Sequence, residues 1–264
     1  ASRSAASACR EPPEATQRRL AQRKYLPESG KISAITACTM RASIVKQSEG
    51  TPMYSNSNFN RWRRHPWHGL RARADGAKED VVQVYIEMTP DDVVKYELDK
   101  GSGFLMVDRP QRTTSSPPAL YGFIPRTYCA EEVAKRCPHA EEADGDPLDI
   151  CVFSERHITR ADIILKARVV GGIQMIDGGE ADDKIVAVLA GDNIWGDVHD
   201  IADLPAIKTE RLQHYFSTYK MIPGKESNVK VDFVYGREEA LKVIAAAELD
   251  YQNHFGHLHQ TVKN

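Results

Sequence analysis

The sequence predicts a mainly β (α+β) fold, a curled antiparallel sheet or small barrel flanked by helices. Two observations carry this. Between residues 81 and 189 the apolar residues alternate or come in short β-branched runs bounded by Gly, Pro and Asp, the pattern of strands and turns. After residue 204 the apolar period becomes helical. Strands first and helices last, with short connections, is not the order of βαβ repeats.

Each element has its own signal. V-V-Q-V-Y-I-E-M (Val81–Met88) alternates and is β-branched, so it reads as a strand. Residues 93–98 and 104–107 read as two more, separated by the turn Lys100-Gly101-Ser102-Gly103. Pro117-Pro118 precedes Y-G-F-I-P (121–125), an extended segment set by proline at both ends. A polar loop runs through Glu142, and the second half of the run 144–153 is a buried strand. Residues 163–170, 172–176 and 184–189 read as further strands around the loop D-G-G-E-A-D-D-K at 177–184. Helices are expected at 204–219 and 237–255, the latter from Leu241, Val243, Ile244, Ala247, Leu249 and Tyr251.

Composition narrows the function classes. The 264 residues are 27% charged and 41% hydrophobic, which supports a sizeable core and excludes a wholly disordered chain. No stretch approaches the ~18 consecutive apolar residues of a membrane helix, so a soluble protein without a membrane partner is expected. Charge is unevenly placed. Residues 1–80 hold 15 Lys/Arg against 7 Asp/Glu, whereas residues 81–264 hold 20 against 30. An acidic body lacking a basic patch is not a nucleic-acid binder; its clustered carboxylates suit hard cations instead. We divide the chain into a basic extension at 1–58, disordered or targeting, and a folded catalytic domain at 59–264. Trp62 and Trp67 are expected to pack on the domain edge rather than to stack on bases. The five cysteines, Cys9, Cys38, Cys129, Cys137 and Cys151, are odd in number and include no C-x-x-C pair. They read as reduced thiols of an intracellular protein.

The chemistry concentrates in two acidic segments. D-G-D-P-L-D places Asp144, Asp146 and Asp149 within six residues, a crowding that cations or unusual protonation must relieve. An EF-hand is excluded, because Leu148 stands at the fifth loop position and Asp149 at the sixth, where glycine is required. The second segment supplies Asp177, Glu180, Asp182, Asp183 and then Lys184. Two acid clusters at strand ends, one followed by a lysine, describe a multi-metal phosphate site. Cations must then hold the substrate oxygens. Lys95, Arg109, Lys184 and Lys220 are candidates, with phenols from Tyr121 and Tyr219.

Taken in order, Y-I-E-M (Glu87), K-Y-E-L (Lys95, Glu97), V-D-R (Arg109), Y-G-F-I-P (Tyr121), D-G-D-P-L-D, D-G-G-E-A-D-D-K and Y-K (Tyr219, Lys220) closely resemble the family I soluble inorganic pyrophosphatases. P-W-H-G-L at 66–70 and I-P-G-K at 222–225 resemble the longer eukaryotic-type branch. The resemblance implies an OB-type antiparallel β-barrel flanked by helices, with a C-terminal helix. It implies hydrolysis of pyrophosphate, with longer polyphosphates as a further substrate class, through a Mg-bridged hydroxide. Several Mg²⁺ ions per site are implied, with Mn²⁺ or Zn²⁺ as substitutes. Asp144, Asp149 and Asp182 would hold the first metal, Asp149 also the second, Asp177 and Asp182 a third, and Glu97 a fourth through water. Asp146 would be the general base, and Lys95, Arg109, Tyr121, Lys184, Tyr219 and Lys220 the phosphate clamp. Glu87 would line the site. Pro117 departs from the family, which often has tyrosine there. A homo-oligomer, dimer or higher, is implied, in the cytoplasm or in an organelle such as a mitochondrion or acidocalcisome if the extension is a targeting segment.

Overall fold

The computed structural model describes residues 64–259, apart from 223, 225 and 226. The extension expected at 1–58, Trp62, Cys9 and Cys38 lie outside the described residues.

Ten strands and three α-helices follow one another in the described chain. They are β1 (Val81–Met88), the hairpin β2 (Val94–Leu98) and β3 (Leu105–Pro110), β4 (Leu120–Phe123), α1 (Glu131–Ala134), β5 (Glu142–Ala143) and β6 (Asp149–Phe153). Then come β7 (Ile163–Asp177), β8 (Glu180–Ala181), β9 (Lys184–Leu189), α2 (Ala206–Thr218), β10 (Val229–Gly236) and α3 (Arg237–Phe255). Strand β1 pairs with β4 on one side and β7 on the other. β4 pairs with β6, β6 with β9, and β9 with β7. The circuit β1–β4–β6–β9–β7 therefore closes on itself, and a ring of strands has no open edge within the circuit.

Burial explains the sequence pattern. The side chains of Ile150, Val152, Ile185 and Ala187 join one apolar cluster with Ala240, Val243, Ile244 and Ala247 of α3. Their neighbours Cys151, Phe153, Val186 and Val188 join a second cluster with Leu212, Tyr215 and Phe216 of α2. Strands β6 and β9 are thus covered on both faces, which is why they are continuously apolar rather than alternating. On α3 the buried residues recur at three- and four-residue steps. Burying Val243 and Ile244 contributes about 1.5–3 kcal/mol each. Glu238 and Glu239 in the first turn and His254 in the last match the helix dipole. Trp67 is 3% exposed and packs with Tyr251 and Phe255, donating from Nε1 to the Thr127 carbonyl at 2.7 Å. That agrees with the expected packing role of this indole.

Several expectations need correction. The ring is not wholly antiparallel: β6 and β9 run parallel, as do the two-residue strands β5 and β8. The expected strands 163–170 and 172–176 are one strand, β7, with an irregularity between Val169 and Gly171. Gly171-Gly172 is no break; a β-carbon on Gly172 would collide with the Tyr235 ring, so glycine lets β10 lie close against β7. β10 was not foreseen and overturns the strands-first order, although V-K-V-D-F-V alternates. The polar loop through Glu142 contains α1 and β5. The expected loop at 177–184 contains β8; the other strands and both long helices fall within three residues of expectation at each end, and α3 coincides with it.

Candidate active site

The D-G-D-P-L-D turn enters β6 from a zipper of backbone bonds. Cys129 N donates to the Asp146 carbonyl at 2.8 Å and Gly145 N to the Cys129 carbonyl at 3.0 Å. Asp146 N donates to Asp144 Oδ1 at 3.0 Å. Thr127 Oγ1 accepts from Leu148 N at 2.9 Å. The loop opposite, residues 127–130, and the start of α1 are anchored in turn by α3. Buried Asp250 accepts from the amides of Ala130, Glu132 and Val133 at 3.0–3.1 Å. The acidic turn is therefore fastened, through residues 127–133, to the last helix of the domain.

On the neighbouring strand, β9 brings Lys184 beside Asp149 in parallel register. The Lys184 ammonium is 2% exposed and sits between Asp149, at 2.5 Å, and Asp182. The Tyr121 hydroxyl donates to Asp149 at 2.5 Å. Lys220 pairs with Asp177, and Lys100 with Asp146. Lys95 bonds Glu97 at 2.8 Å and reaches Asp108 at 3.3 Å.

One cavity of about 180 Å³ gathers Lys95, Tyr121, Asp144, Asp146, Asp149, Asp177, Asp182, Lys184, Tyr219 and Lys220. Ten of the twelve site residues expected from sequence share it. Arg109 lines an adjoining cavity with Asp177, Tyr219 and Lys220, and pairs with Asp108. Glu97 lines a small one with Glu87, Lys95, Asp146 and Asp149. Asp183 is bonded by the Tyr235 hydroxyl at 2.8 Å, away from this cavity. Its neighbour Asp182, in the same link between β8 and β9, lines the cavity instead. Reasoning from sequence missed Lys100, Gln111, Tyr215 and Phe216. The spacing of Tyr215 from Tyr219 on one helix was the available signal for the aromatic pair.

Electrostatics in the cavity follow from crowding. Burial, then the Asp182 carboxylate, pushes Asp144 up to about 9. Burial opposes ionisation of Asp182 as well, but the Lys184 ammonium and a hydrogen bond from Asp144 hold it below the usual carboxylate range. A bound cation would relieve this sharing of one proton by two acids. Burial disfavours charge on Lys184, yet Asp149 and Asp182 outweigh it and keep the ammonium charged. Burial, reinforced by Asp149, pushes Tyr121 well above the ordinary phenol. Burial pushes Tyr219 up too. Both phenols are therefore protonated donors at neutral pH. Burial and then Asp149 raise Glu87 to about 8, while its Oε1 accepts from Leu98 N at 2.7 Å.

The donor chemistry is that of hard divalent cations: all oxygen, mostly carboxylate, beside the cavity. Among the described residues no three acid, histidine or cysteine side chains form a ready cluster. Lysine ammoniums pair with these acids, so the carboxylates fit cations by chemistry and by charge rather than as a closed cage.

The sequence model of the inorganic pyrophosphatase family matches residues 84–252. The chain belongs to the inorganic pyrophosphatase family. It is 46% identical over 201 residues to an inorganic pyrophosphatase of Chlamydia caviae, spanning 72% of this chain and 92% of that protein. The soluble inorganic pyrophosphatase 2 of Chlamydomonas reinhardtii is 37% identical over 72% of this chain and 90% of its own length. Among solved structures, the inorganic pyrophosphatase of Thermus thermophilus matches with a TM-score of 0.59 and 31% identity, over 71% of this chain and 99% of that one. The Helicobacter pylori inorganic pyrophosphatase matches at 0.57 and 36%, over 66% and 95%. Membership of the pyrophosphatase family agrees with the ring of strands and with the motif order along the chain. The chlamydial protein has the higher identity of the two relatives, so the eukaryotic-type branch stays an expectation from the two short motifs alone.

Proposed function

We propose that this chain hydrolyses inorganic pyrophosphate to two phosphates. The observation that carries the reading is the convergence of two acid clusters, three lysines and three phenols on one cavity, in a chain of the pyrophosphatase family. Asp144, Asp149, Asp177 and Asp182 would hold divalent cations, Mg²⁺ first and Mn²⁺ or Zn²⁺ as substitutes, with Glu97 in outer support. When bound, such ions polarise phosphoryl oxygens and lower the pKa of a coordinated water.

The chain's own groups do the rest. Asp146 is a carboxylate on the cavity wall and not in contact with Lys184. It takes the proton of the attacking water at an Oδ atom. Lys95, Lys184, Lys220 and Arg109 neutralise the phosphates, and the Tyr121 and Tyr219 hydroxyls donate to their oxygens. These side chains line the cavities before any substrate arrives, so little reorganisation would accompany the rise of charge at phosphorus. Burial of Lys184 excludes water from one side of the clamp. Longer polyphosphates are a second substrate class for the same clamp, and a homo-oligomer is the assembly we infer. The extension at 1–58 serves targeting or tethering, and its nature sets the compartment.

Phosphate release from pyrophosphate, measured with and without Mg²⁺, tests the function. Magnesium-dependent release is expected; its absence over the full range of Mg²⁺, Mn²⁺ and Zn²⁺ would overturn the reading.

A further inference from the structure

Tyr215 of α2 is 7% exposed and belongs to the walls of two cavities. In the catalytic cavity it stands with Gln111, Tyr121, Lys184 and Tyr219. In the second, of about 520 Å³, it stands with Pro117, Pro118 and Phe153. Pro117 carries no side-chain donor, so on the wall they share Tyr215 alone of the two can offer one. The ring is held in place on two sides. Tyr219 stacks on it at 5.3 Å and 29°, and Phe216 meets it edge-on at 5.2 Å.

The hydroxyl has a defined task left to it. Gln111 Nε2 donates to the Tyr215 oxygen at 3.5 Å. A phenol has two acceptor positions and one proton to give, and this bond uses only an acceptor position. Among the described residues the structure gives that proton no protein acceptor. Burial pushes the phenol up to about 12, so the proton is retained at neutral pH. The Arg109 and Lys184 cations pull the group the other way without reversing this. A buried donor without an acceptor is costly unless a ligand completes it.

We propose that Tyr215 is a further substrate-binding residue: its hydroxyl, oriented by Gln111, donates to a phosphate oxygen of the substrate. The inference rests on the pyrophosphatase reading and extends it to a residue pair outside the motifs. Neither member is a conspicuous charge, and they are 104 positions apart in the chain.

Tyr215→Phe removes the hydroxyl and keeps the ring stack. It should lower kcat/KM for pyrophosphate by about tenfold or more, the range for a hydrogen bond to a charged group, with Tm unchanged. Gln111→Leu should cost about threefold in the wild type and under about twofold in the Tyr215→Phe background, because both act through one hydrogen bond. Imidodiphosphate affinity, read by calorimetry with Mg²⁺, should weaken in parallel in Tyr215→Phe. Wild-type values of kcat/KM and imidodiphosphate affinity in Tyr215→Phe would overturn the inference, as would fully independent effects of the two substitutions. Failure of the wild-type chain itself to release phosphate would count against the function instead. In that event the imidodiphosphate comparison alone decides whether Tyr215 contacts the ligand.

Discussion

At the scale of single residues, the site is organised around Asp149, which takes both the Lys184 ammonium and the Tyr121 hydroxyl. Asp146 lies three positions earlier and pairs with Lys100 at the half-exposed rim. Their neighbours differ, so their variants should differ. Asp149→Asn should lower phosphate release by several orders of magnitude at saturating Mg²⁺, and retention of more than about a tenth of the turnover would remove its proposed role as a shared ligand. Asp146→Asn should lower kcat with little change in the Mg²⁺ concentration for half-maximal rate, and it should alter the acid limb of the pH–rate profile. A large loss of metal affinity with an unchanged profile would make Asp146 a ligand. Glu87 gives a separate test in the metal-free protein. Burial holds its carboxyl at about 8 in the fold against an ordinary 4.5, so the folded state binds the proton more tightly than the unfolded chain. Stability is therefore greatest below about 4.5 and declines as pH rises toward 8. Glu87→Gln keeps an acceptor for Leu98 N without ionising. Its advantage in unfolding free energy over wild type in EDTA should grow between pH 5 and 8 and then level off, by an amount of the order of 2–4 kcal/mol. A difference constant with pH would mean the carboxyl ionises freely in the fold.

At the scale of elements, the Y-G-F motif carries two functions at once. Tyr121 points into the cavity, while Gly122 lets β4 approach β1 so closely that a β-carbon would overlap the Tyr85 carbonyl oxygen. Backbone on both sides cannot yield cheaply. Gly122→Ala should thus cost at least about 3 kcal/mol, at the upper end of overpacking effects, read as a lowered urea midpoint. A midpoint within experimental error of wild type would show that β1 and β4 can separate. The same close-approach reasoning explains Gly172, which adjoins the interruption expected at Gly171 and in the fold admits Tyr235. Asp250 shows how a distant element reaches the chemistry: α3 holds residues 130–133, and residues 127–129 hold the D-G-D-P-L-D turn.

At the scale of the whole molecule, the candidate catalytic cavity is assembled from β1, β2, β4, β6, β7, β8, β9 and α2 together with their connecting turns. Its lining residues, from Met88 of β1 to Lys220, all lie after the basic extension. No helix among the described residues is long and apolar enough to cross a membrane. A chain beginning at Asn58 should keep kcat/KM within about threefold of the full chain, under ~0.7 kcal/mol in the barrier. At ~0.15 M salt a Debye length of ~8 Å limits what the basic extension can add by attracting an anionic substrate. A tenfold loss of rate, or dissociation of an oligomer on truncation, would place the extension within the working enzyme.

The sequence by itself determined the acids, the lysines and the two long helices, because their signals are local. Carboxylate crowding is visible within six residues, β-branched alternation within eight, and helical spacing within two turns. It also favoured Asp182 over Asp183 for the site, from the spacing to Asp177 in the motif that resembles the family. Tertiary structure decided what depends on partners far along the chain. The parallel pairing of β6 with β9 sets Lys184 against Asp149, and no local pattern specifies a pairing partner or its direction. Gly171-Gly172 looks like a break until Tyr235 is packed against it. β10 pairs only with β7 and is mostly half-buried, so it gives a weaker apolar signal than the strands of the ring. Tyr215 and Gln111 carry no charge and belong to no acidic motif, and only the closing of α2 over the ring brings them to the same cavity as the carboxylates. Side-chain chemistry is written in the residue, but the neighbour that gives it a task is supplied by long-range packing.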